Sequence, residues 1–271
     1  MPPQETAKGR DRGIPPSAAY RGTVTTSPKR TVRRVVSLVP SLTEAVAATA
    51  PEVLVGATDW CEHPPGLDVV RVGGTKNPDV ARIAALAPDL VVANEEENRA
   101  PDLAALRAAG LAVLVTEVRS LEQAFDELER LLVAGCGLSA PGWLADARDA
   151  WRDVGAATPV LSAVVPVWRR PWMVLGRDTF AGDVLARLGV RHVHADHAER
   201  YPRVPLEELR ASGADLVVLP DEPYRFTRDD GPEAFPGLPA ALVSGRHLTW
   251  YGPSLTQAPE VLGRALRTAV R

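Results

Sequence analysis

The sequence predicts an α/β protein made of two doubly wound lobes with a helical segment between them. Three observations lead to this architecture. The chain has 271 residues, which is enough for one large α/β unit or for two lobes of about 120 residues each. Short β-branched runs alternate with helical patterns over residues 34–116, and the alternation resumes at residue 159. Between these regions, roughly 35 residues carry no strand pattern.

The first lobe is predicted over residues 33–136. Its first strand is the run at 34–39, which ends before Pro40. Ser41, followed three residues later by Glu44, has the pattern of a capping box at a helix start. Further strands are predicted at 53–56, 90–93 and 112–116, and helices at 79–86, 101–109 and 121–134.

A connecting helix, predicted over 137–158, leads into a second lobe at 159–271. Leu144, Ala147 and Trp151 fall at positions i, i+3 and i+7, so they form an apolar stripe on one face of this helix. The second lobe is predicted to contain strands at 159–167, 214–219 and 247–249, the last as an edge strand, and helices at 179–188, 206–211 and 259–270.

Charge is distributed unevenly along the chain. Residues 1–34 have a net charge of +6, which leaves −9 for the rest of a chain whose total is −3. An acidic body argues against nucleic-acid binding. Residues 1–32 are rich in Pro, Gly, Ser, Thr and Arg, and we predict that they form a disordered tail. Because no signal-type apolar run and no membrane-spanning stretch is present, we expect a cytoplasmic location.

The sequence lacks the short motifs that support catalysis. No G-x-G-x-x-G follows a strand, and there is no Walker A loop, G-x-S-x-G elbow or H-E-x-x-H. Cys61 and Cys136 match no disulfide framework or metal spacing. His192, His194 and His197 have a spacing that a metal site could use, but they follow a predicted helix, where polar loop residues are typical. We therefore predict neither an enzyme nor a metal site.

Large aromatic residues are concentrated in the predicted loops. They follow strands or connect elements, and ligands of open α/β sheets bind at the carboxyl ends of the strands. Two lobes that present such loops to each other would form a cleft for a bulky, ring-bearing ligand. The aromatic residues in question are Trp60, Trp168, Trp172, Tyr201, Tyr224, Trp250 and Tyr251.

Seven strings of residues carry a family resemblance. They are RVVSLVPSLTE at 34–44, TDWCEHP at 58–64, GGTKNPD at 73–79, APDLVVAN at 87–94, WRRPWMVLGRDTF at 168–180, RYPRVPLE at 200–207 and LPDEPY at 219–224. In this order they resemble the substrate-binding proteins with a rigid backbone helix. Among these the chain is most similar to the cobalamin-binding branch, alongside binders of iron–siderophores and haem. The resemblance covers about 33–270.

The resemblance implies two Rossmann-like lobes joined by a long rigid backbone helix, the architecture of class III periplasmic binding proteins. It implies a ligand such as cobalamin or another metal chelate, held without a covalent cofactor between the lobes and delivered to an ABC importer permease. We expect the protein to be a monomer. By position, Trp60, Tyr201 and Trp250 fall where the resemblance implies cleft aromatics, while Asn94 and Glu95 occupy a loop that carries another aromatic in those proteins, so that contact is altered here. With Trp168, Trp172 and Tyr224 from the aromatic loops, these residues are the predicted ligand contacts.

Importer docking in this family uses one surface glutamate on each lobe. Glu207 matches that position in the second lobe. In the first lobe the corresponding residue is Ala81, with Asp79 nearby.

Alternative functions are a chelate carrier or sensor of the same fold inside the cell, and a free-metal binder that uses His63 or the histidine cluster. A third is a small-molecule enzyme with acids drawn from Asp59, Glu62, Glu95, Glu96 and Asp178.

Overall fold

A computed structural model describes residues 32–154 and 160–270, so nearly all of the predicted tail at 1–32 lies outside the described residues. The first lobe is built on a parallel sheet whose central strand, β1, is a completely buried β-branched run. Its strands are β1 (Val35–Ser37), β2 (Leu54–Ala57), β3 (Val70–Arg71), β4 (Gly73–Gly74), β5 (Asn77–Pro78), β6 (Leu90–Asn94) and β7 (Val113–Thr116). The sheet order is β3-β2-β1-β6-β7, and β4 and β5 form a separate antiparallel ribbon.

The helices of this part of the chain are α1 (Pro40–Thr49), after β1, α2 (Val80–Ala85), after the ribbon, and α3 (Ala100–Ala108), after β6. The predicted capping box at Ser41 is wrong. The helix already begins at Pro40, after Val39, and no side chain caps it. Proline is suited to the first helical position because its φ angle is preset and it has no N–H to satisfy. Asp79 does cap α2, by accepting a hydrogen bond from the Arg82 amide.

The connecting region consists of two helices. The first is α4 (Leu121–Glu129), which continues as a π-helical segment over Arg130–Gly135. A Cβ at position 135 would lie 2.6 Å from a methyl group of Leu114, so a larger residue there would require that side chain to shift. The second is α5 (Gly142–Arg152), whose predicted stripe of Leu144, Ala147 and Trp151 is buried. Within the described residues, α5 is therefore shorter than the helix predicted over 137–158.

The second lobe contains a parallel sheet of four strands. The strands of this lobe, including two outside that sheet, are β8 (Leu161–Val164), β9 (Pro166–Trp168), β10 (Met173–Val174), β11 (Val190–His192), β12 (Leu216–Pro220) and β13 (Ala240–Val243). The sheet order is β11-β8-β12-β13, while β9 and β10 form an antiparallel ribbon. The helices are α6 (Phe180–Arg187), α7 (Leu206–Arg210), α8 (Gly245–Thr249) and α9 (Ala258–Ala269).

Three predictions for this lobe are wrong. The strand predicted at 159–167 is divided into β8 and β9. The edge strand predicted at 247–249 is part of α8, and the edge is formed by β13 instead. The amide of Gly245, at the start of α8, donates a 2.6 Å hydrogen bond to Asp221 across the top of the sheet. His192 ends a buried strand, where a polar loop was predicted.

One hydrophobic core extends through both lobes. It includes Val35 of the first sheet, Ala163 of the second and Trp151 of the connecting helix. The indole Nε1 of Trp151 donates a 2.9 Å hydrogen bond to the carbonyl of Leu255, which ties α5 to the segment before α9. A core shared in this way holds the two lobes to the connecting helix. None of the helices in the described ranges has the length and hydropathy that crossing a bilayer requires.

Candidate ligand-binding cleft

The parallel strands place the loops of the candidate site at their carboxyl ends. In the first sheet, β2 and β6 flank β1, so the strand order reverses between β1 and β6. In the second sheet, β11 and β12 flank β8, and the order reverses between β8 and β12. A reversal of this kind opens a crevice at the carboxyl ends of the strands, and open α/β sheets bind their ligands there.

Trp250 meets the first lobe at this crevice. It follows α8 of the second lobe, and its ring stands edge-on to that of His63 with centroids 5.5 Å apart. Its indole Nε1 donates a 3.1 Å hydrogen bond to Oε2 of Glu222, in the loop after β12. Burial is the largest influence on Glu222 and raises the pKa of its carboxyl. Trp250 is therefore held in place between groups from both lobes.

An ion pair also joins the two lobes. The guanidinium of Arg246 in α8 donates to both carboxylate oxygens of Glu44 in α1, with 3.3 Å between Nε and Oε2. Only 8% of the Glu44 side chain is exposed. A carboxylate so far removed from water needs a charged partner, and Arg246 is that partner.

A second set of charges crosses the cleft at the loop after β6. Arg200 of the second lobe donates to Glu96 at 2.9 Å and to Glu95 at 3.4 Å. Glu95 also receives a 3.3 Å contact from Arg119. The Tyr201 hydroxyl hydrogen-bonds to Glu96, and burial raises its pKa well above the ordinary value. The structure thus brings the predicted contacts Glu95 and Tyr201 together across the lobes.

Asn94 has a different position from the one predicted. Asn94 is buried at the end of β6. Its side-chain nitrogen donates to the carbonyl of Thr116 at 3.0 Å and to the hydroxyl of Thr116 at 3.1 Å. Its side-chain oxygen accepts from the amides of Glu96 and Glu97. With both polar atoms occupied, Asn94 shapes the loop that carries Glu95 and Glu96.

Trp60 and Trp168 are exposed aromatic residues, one on each lobe. Trp60 is 66% exposed, in the loop after β2, and Trp168 is 43% exposed, at the end of β9. The Trp168 ring stands edge-on to Tyr224 at 5.6 Å. The Tyr224 hydroxyl donates a 2.6 Å hydrogen bond to Asp230. Large exposed indoles of this kind are typical of binding surfaces.

Trp172, by contrast, is half-buried and packs against an aromatic cluster of the second lobe. Its ring stacks on Phe226 with centroids 6.1 Å apart and stands edge-on to Phe235 at 5.4 Å. The guanidinium of Arg169 lies over the ring, 5.3 Å from its centroid. These contacts make Trp172 part of the hydrophobic cluster that covers β12.

The three histidines of the predicted cluster are separated by their environments. His192 is buried at the end of β11, His194 is half-buried and His197 is exposed. Across residues 32–154 and 160–270, no group of three or more His, Cys, Asp or Glu residues is placed to hold a metal ion.

The predicted docking residue Glu207 lies on the surface. Its side chain is exposed on α7 and forms a 2.8 Å ion pair with Arg210, one helical turn away. In the first lobe, Ala81 lies in the first turn of α2, two residues after the capping residue Asp79. The second lobe therefore presents a carboxylate on its surface, and the matching helix of the first lobe begins with an alanine at that position.

Sequence reasoning did not identify Glu44, Arg200, Arg246, Glu222 or His63 as residues that join the lobes. For Glu44 a signal was present, because it is the only charge in an otherwise apolar and small-residue helix over 40–49. A charge in a helix that is buried on most sides must find a partner. No local pattern identifies that partner as a residue 202 positions away.

Two α/β lobes with a crevice between the carboxyl ends of their strands, and a shared core that holds them to a connecting helix, define a two-lobed binding protein. The chain belongs to the periplasmic binding protein family, whose model matches residues 35–235.

Individual relatives agree with this assignment. The vitamin B12-binding protein of Vibrio cholerae serotype O1 is 26% identical over 190 residues, which are 68% of this chain and 69% of that protein. A periplasmic heme-binding protein from Pseudomonas aeruginosa has a TM-score of 0.73 and 26% identity, with 89% of this chain and 94% of that chain covered. The periplasmic vitamin B12-binding protein of Vibrio cholerae has a TM-score of 0.71 at 20% identity, with coverages of 88% and 98%.

These comparisons bear on three expectations. The resemblance to substrate-binding proteins is confirmed, and the chain is a substrate-binding protein rather than an enzyme. The expected cytoplasmic location is wrong, because the family consists of periplasmic binding proteins and both solved neighbours are periplasmic. The alternative of a carrier or sensor inside the cell is withdrawn with it.

Proposed function

We propose that the chain binds a corrinoid or a similar metal chelate between its two lobes and delivers it to an ABC importer permease. The observation that carries the proposal is the pair of exposed indoles, Trp60 on the first lobe and Trp168 on the second. Flat chelate rings bind by burying their faces against such side chains. The relatives named for vitamin B12 and for heme support a large metal chelate as the ligand class.

We further propose that the contacts come from both lobes. The lobes are taken as 33–136 and 159–271, with the connecting helix at 137–158. Trp60 and Glu95 would contribute from the first lobe, and Trp168, Tyr201, Tyr224 and Trp250 from the second. The ion pairs of Arg200 and Arg246 cross the same crevice, so a ligand that enters it must replace or flank these contacts. Because the core is shared through α5, we expect little change in overall dimensions on binding.

Fluorescence and calorimetry test the proposal directly. The purified protein would be titrated with cyanocobalamin, with haem and with a ferric siderophore, correcting the tryptophan emission for absorption by the ligand. We expect saturable quenching by one of the three, with a calorimetric Kd in the micromolar range or below. Trp60→Ala should weaken binding about tenfold, a loss of roughly 1.4 kcal/mol.

The matched control is Trp143→Phe. Trp143 lies in α5, where its indole Nε1 donates to the Thr49 hydroxyl, away from the crevice. This variant should bind as the wild type does. If none of the three chelates binds, or if Trp143→Phe and Trp60→Ala weaken binding equally, the proposal is refuted. The identity of the chelate that binds would decide between a corrinoid, a haem and a siderophore.

Delivery to an importer has a separate test. We propose that Glu207 docks the second lobe on a permease arginine, as the family resemblance implies. Glu207→Ala should leave the chelate Kd unchanged and reduce chelate uptake by a reconstituted cognate permease. Glu208→Ala, the neighbouring acid on α7, is the control. Equal uptake with Glu207→Ala and the wild type would remove Glu207 from the docking surface.

A further inference from the structure

The loop after β2 presents Trp60 on a hydrogen-bonded turn. The turn runs from Thr58 to Cys61, and the Cys61 amide donates to the Thr58 carbonyl at 3.1 Å. Thr58 and Cys61 are completely buried, whereas Trp60 between them is 66% exposed. An indole with so much of its surface in water has few packing contacts of its own. Its position therefore depends on the backbone of the turn.

Arg71 of β3 holds both ends of this turn. One nitrogen of its guanidinium, Nη1, donates 2.9 Å hydrogen bonds to the carbonyl of Thr58 and to the carbonyl of Cys61. Nη1 carries two hydrogens, so it can make both bonds at once. Hydrogen bonds from a charged donor are stronger than those between neutral groups. Arg71 therefore fixes the two carbonyls that flank Trp60.

The first sheet brings Arg71 to this turn. β3 runs parallel to β2 at the edge of the sheet, and Arg71 is paired with Ala57, the residue directly before the turn. Because the two strands end together, a long side chain at the end of β3 reaches the loop that leaves β2. The Arg71 side chain is partly buried, so water competes less for its donors.

Two other contacts hold the loop at different points. The Asp59 amide donates to the carbonyl of Gly73 in β4 at 2.9 Å. The Thr43 hydroxyl of α1 donates to Sγ of Cys61 at 3.0 Å. Neither contact involves the Cys61 carbonyl, so Arg71 is the side chain that spans the turn from one end to the other.

We propose that Arg71 is a positioning residue that keeps Trp60 in the orientation in which it binds the chelate, an inference that rests on the proposed function. Arg71 itself need not touch the ligand. A turn that is ordered before binding saves the entropy that ordering would otherwise cost, and this raises the affinity. If the turn is loosened, only a fraction of the molecules present Trp60 correctly, and the apparent Kd rises by the inverse of that fraction.

Hydrogen exchange of the full chain, followed by NMR, tests the positioning role without any chelate. In Arg71→Met, which keeps the apolar stem and removes the donors, the Cys61 amide should exchange about tenfold faster than in the wild type. The Val72 amide donates to the Ala57 carbonyl at 3.0 Å and should keep its protection, because β3 stays paired with β2.

Two exchange results would overturn the proposal. An unchanged Cys61 amide would show that the turn is ordered without Arg71. Equal loss of protection at Cys61 and Val72 would show that Arg71 holds the strand rather than the turn. Since no ligand is present, this test decides the positioning role even if the wild type binds none of the three chelates and the proposed function fails.

Binding kinetics test the consequence for the ligand. With the chelate that quenches the wild type, Arg71→Met should raise the Kd about tenfold through slower association, while the dissociation rate stays the same because the bound turn is ordered again. Trp60→Ala removes the contact itself and should instead speed dissociation. An unchanged Kd for Arg71→Met would overturn the proposal. Weaker binding caused only by faster dissociation would also overturn it, because Arg71 would then be a direct contact.

The matched control is Arg34→Met. Arg34 also donates two guanidinium hydrogen bonds to the backbone, both to the carbonyl of Leu86, at 3.0 and 2.7 Å. It lies directly before β1, at the amino end of the first sheet and away from the Trp60 turn. Both variants lose two hydrogen bonds and some stability, but Arg34→Met should bind the chelate as the wild type does. The same Kd for both variants would make the role of Arg71 merely structural.

Should Arg71→Met fail to fold, Arg71→Gln makes the same comparison, since its shorter side chain cannot reach both carbonyls. A Cys61 exchange rate and an association rate equal to those of the wild type would then count against the positioning role.

Discussion

Glu44 and Arg246 form an ion pair across the two lobes, although they are 202 residues apart in the sequence. Glu44 lies in α1, which leaves the first sheet at β1, and Arg246 lies in α8, directly after β13 of the second sheet. The ion pair therefore forms only when the two lobes are in contact. It also lies in the crevice where the chelate is proposed to bind, so stability and binding depend on the same contact.

Arg246→Ala should lower the free energy of unfolding by about 3 kcal/mol, because it leaves a buried carboxylate without its partner. Urea unfolding at neutral pH measures this change. Arg264→Ala is the matched control, since its pair with Glu260 on α9 is almost fully exposed and should contribute less than about 0.5 kcal/mol. Equal effects of the two substitutions would contradict the buried position of Glu44.

Trp151→Ala should destabilise the protein by about 3 to 5 kcal/mol, because a large side chain at the centre of the shared core is replaced by a cavity. The Leu255 carbonyl would lose its donor at the same time. Trp60→Ala is the comparison, since its exposed side chain should change the free energy of unfolding by no more than about 0.5 kcal/mol. Chemical unfolding of both variants under the same conditions gives the difference. A small effect at Trp151 would mean that α5 does not hold the lobes together.

Stability should fall in mild acid because of His192. In the unfolded chain this histidine takes a proton near its ordinary pKa, whereas burial lowers its pKa to about 4 in the folded protein. Between these two values the unfolded state binds more protons, so the free energy of unfolding decreases as the pH falls, by about 3 kcal/mol over the whole interval. Arg191 and His194 also lower this pKa, and Asp196 opposes them.

The measurement is the unfolding free energy of the wild type and of His192→Phe at about pH 7 and about pH 4.5. The wild type should lose more stability than the variant. Because all other titrating groups are shared, the difference between the two profiles isolates His192. Parallel profiles would show that His192 is protonated as readily in the folded state as in the unfolded one.

Both cysteines should be unreactive in the folded protein. Burial raises the pKa of Cys136 to about 11 and also raises that of Cys61, where hydrogen bonds from Thr43 and Thr58 only partly oppose it. The thiolate is the reactive form, so labelling with a disulfide reagent near pH 7.5 should be negligible until denaturant is added, when two thiols should react. Trp60→Cys provides an exposed control that should react at once. Rapid labelling of the native wild type would place a cysteine at the surface.

Much of the fold could be predicted because its information is local. The buried strands at Val35–Ser37, Leu90–Asn94 and Leu216–Pro220 are valine- and leucine-rich runs, which is the pattern of central parallel strands. The stripe on α5 predicted its buried face in the same way. Short segments were predicted poorly. His247 lies in a five-residue helix whose start depends on Asp221, a distant residue that no local pattern reveals.

By itself, the sequence determined that this is a two-lobed α/β binding protein, because strand and helix patterns and the ordered motifs are properties of neighbouring residues. Only the tertiary structure decided which polar and aromatic side chains face one another. It placed Asn94 beneath its loop, Trp172 half-buried against the aromatic cluster of the second lobe, and Trp60 and Trp168 at the surface. It also paired Glu44 with Arg246. Such pairings depend on how the two sheets pack through their shared core, which is set by contacts between distant parts of the chain rather than by any segment of it.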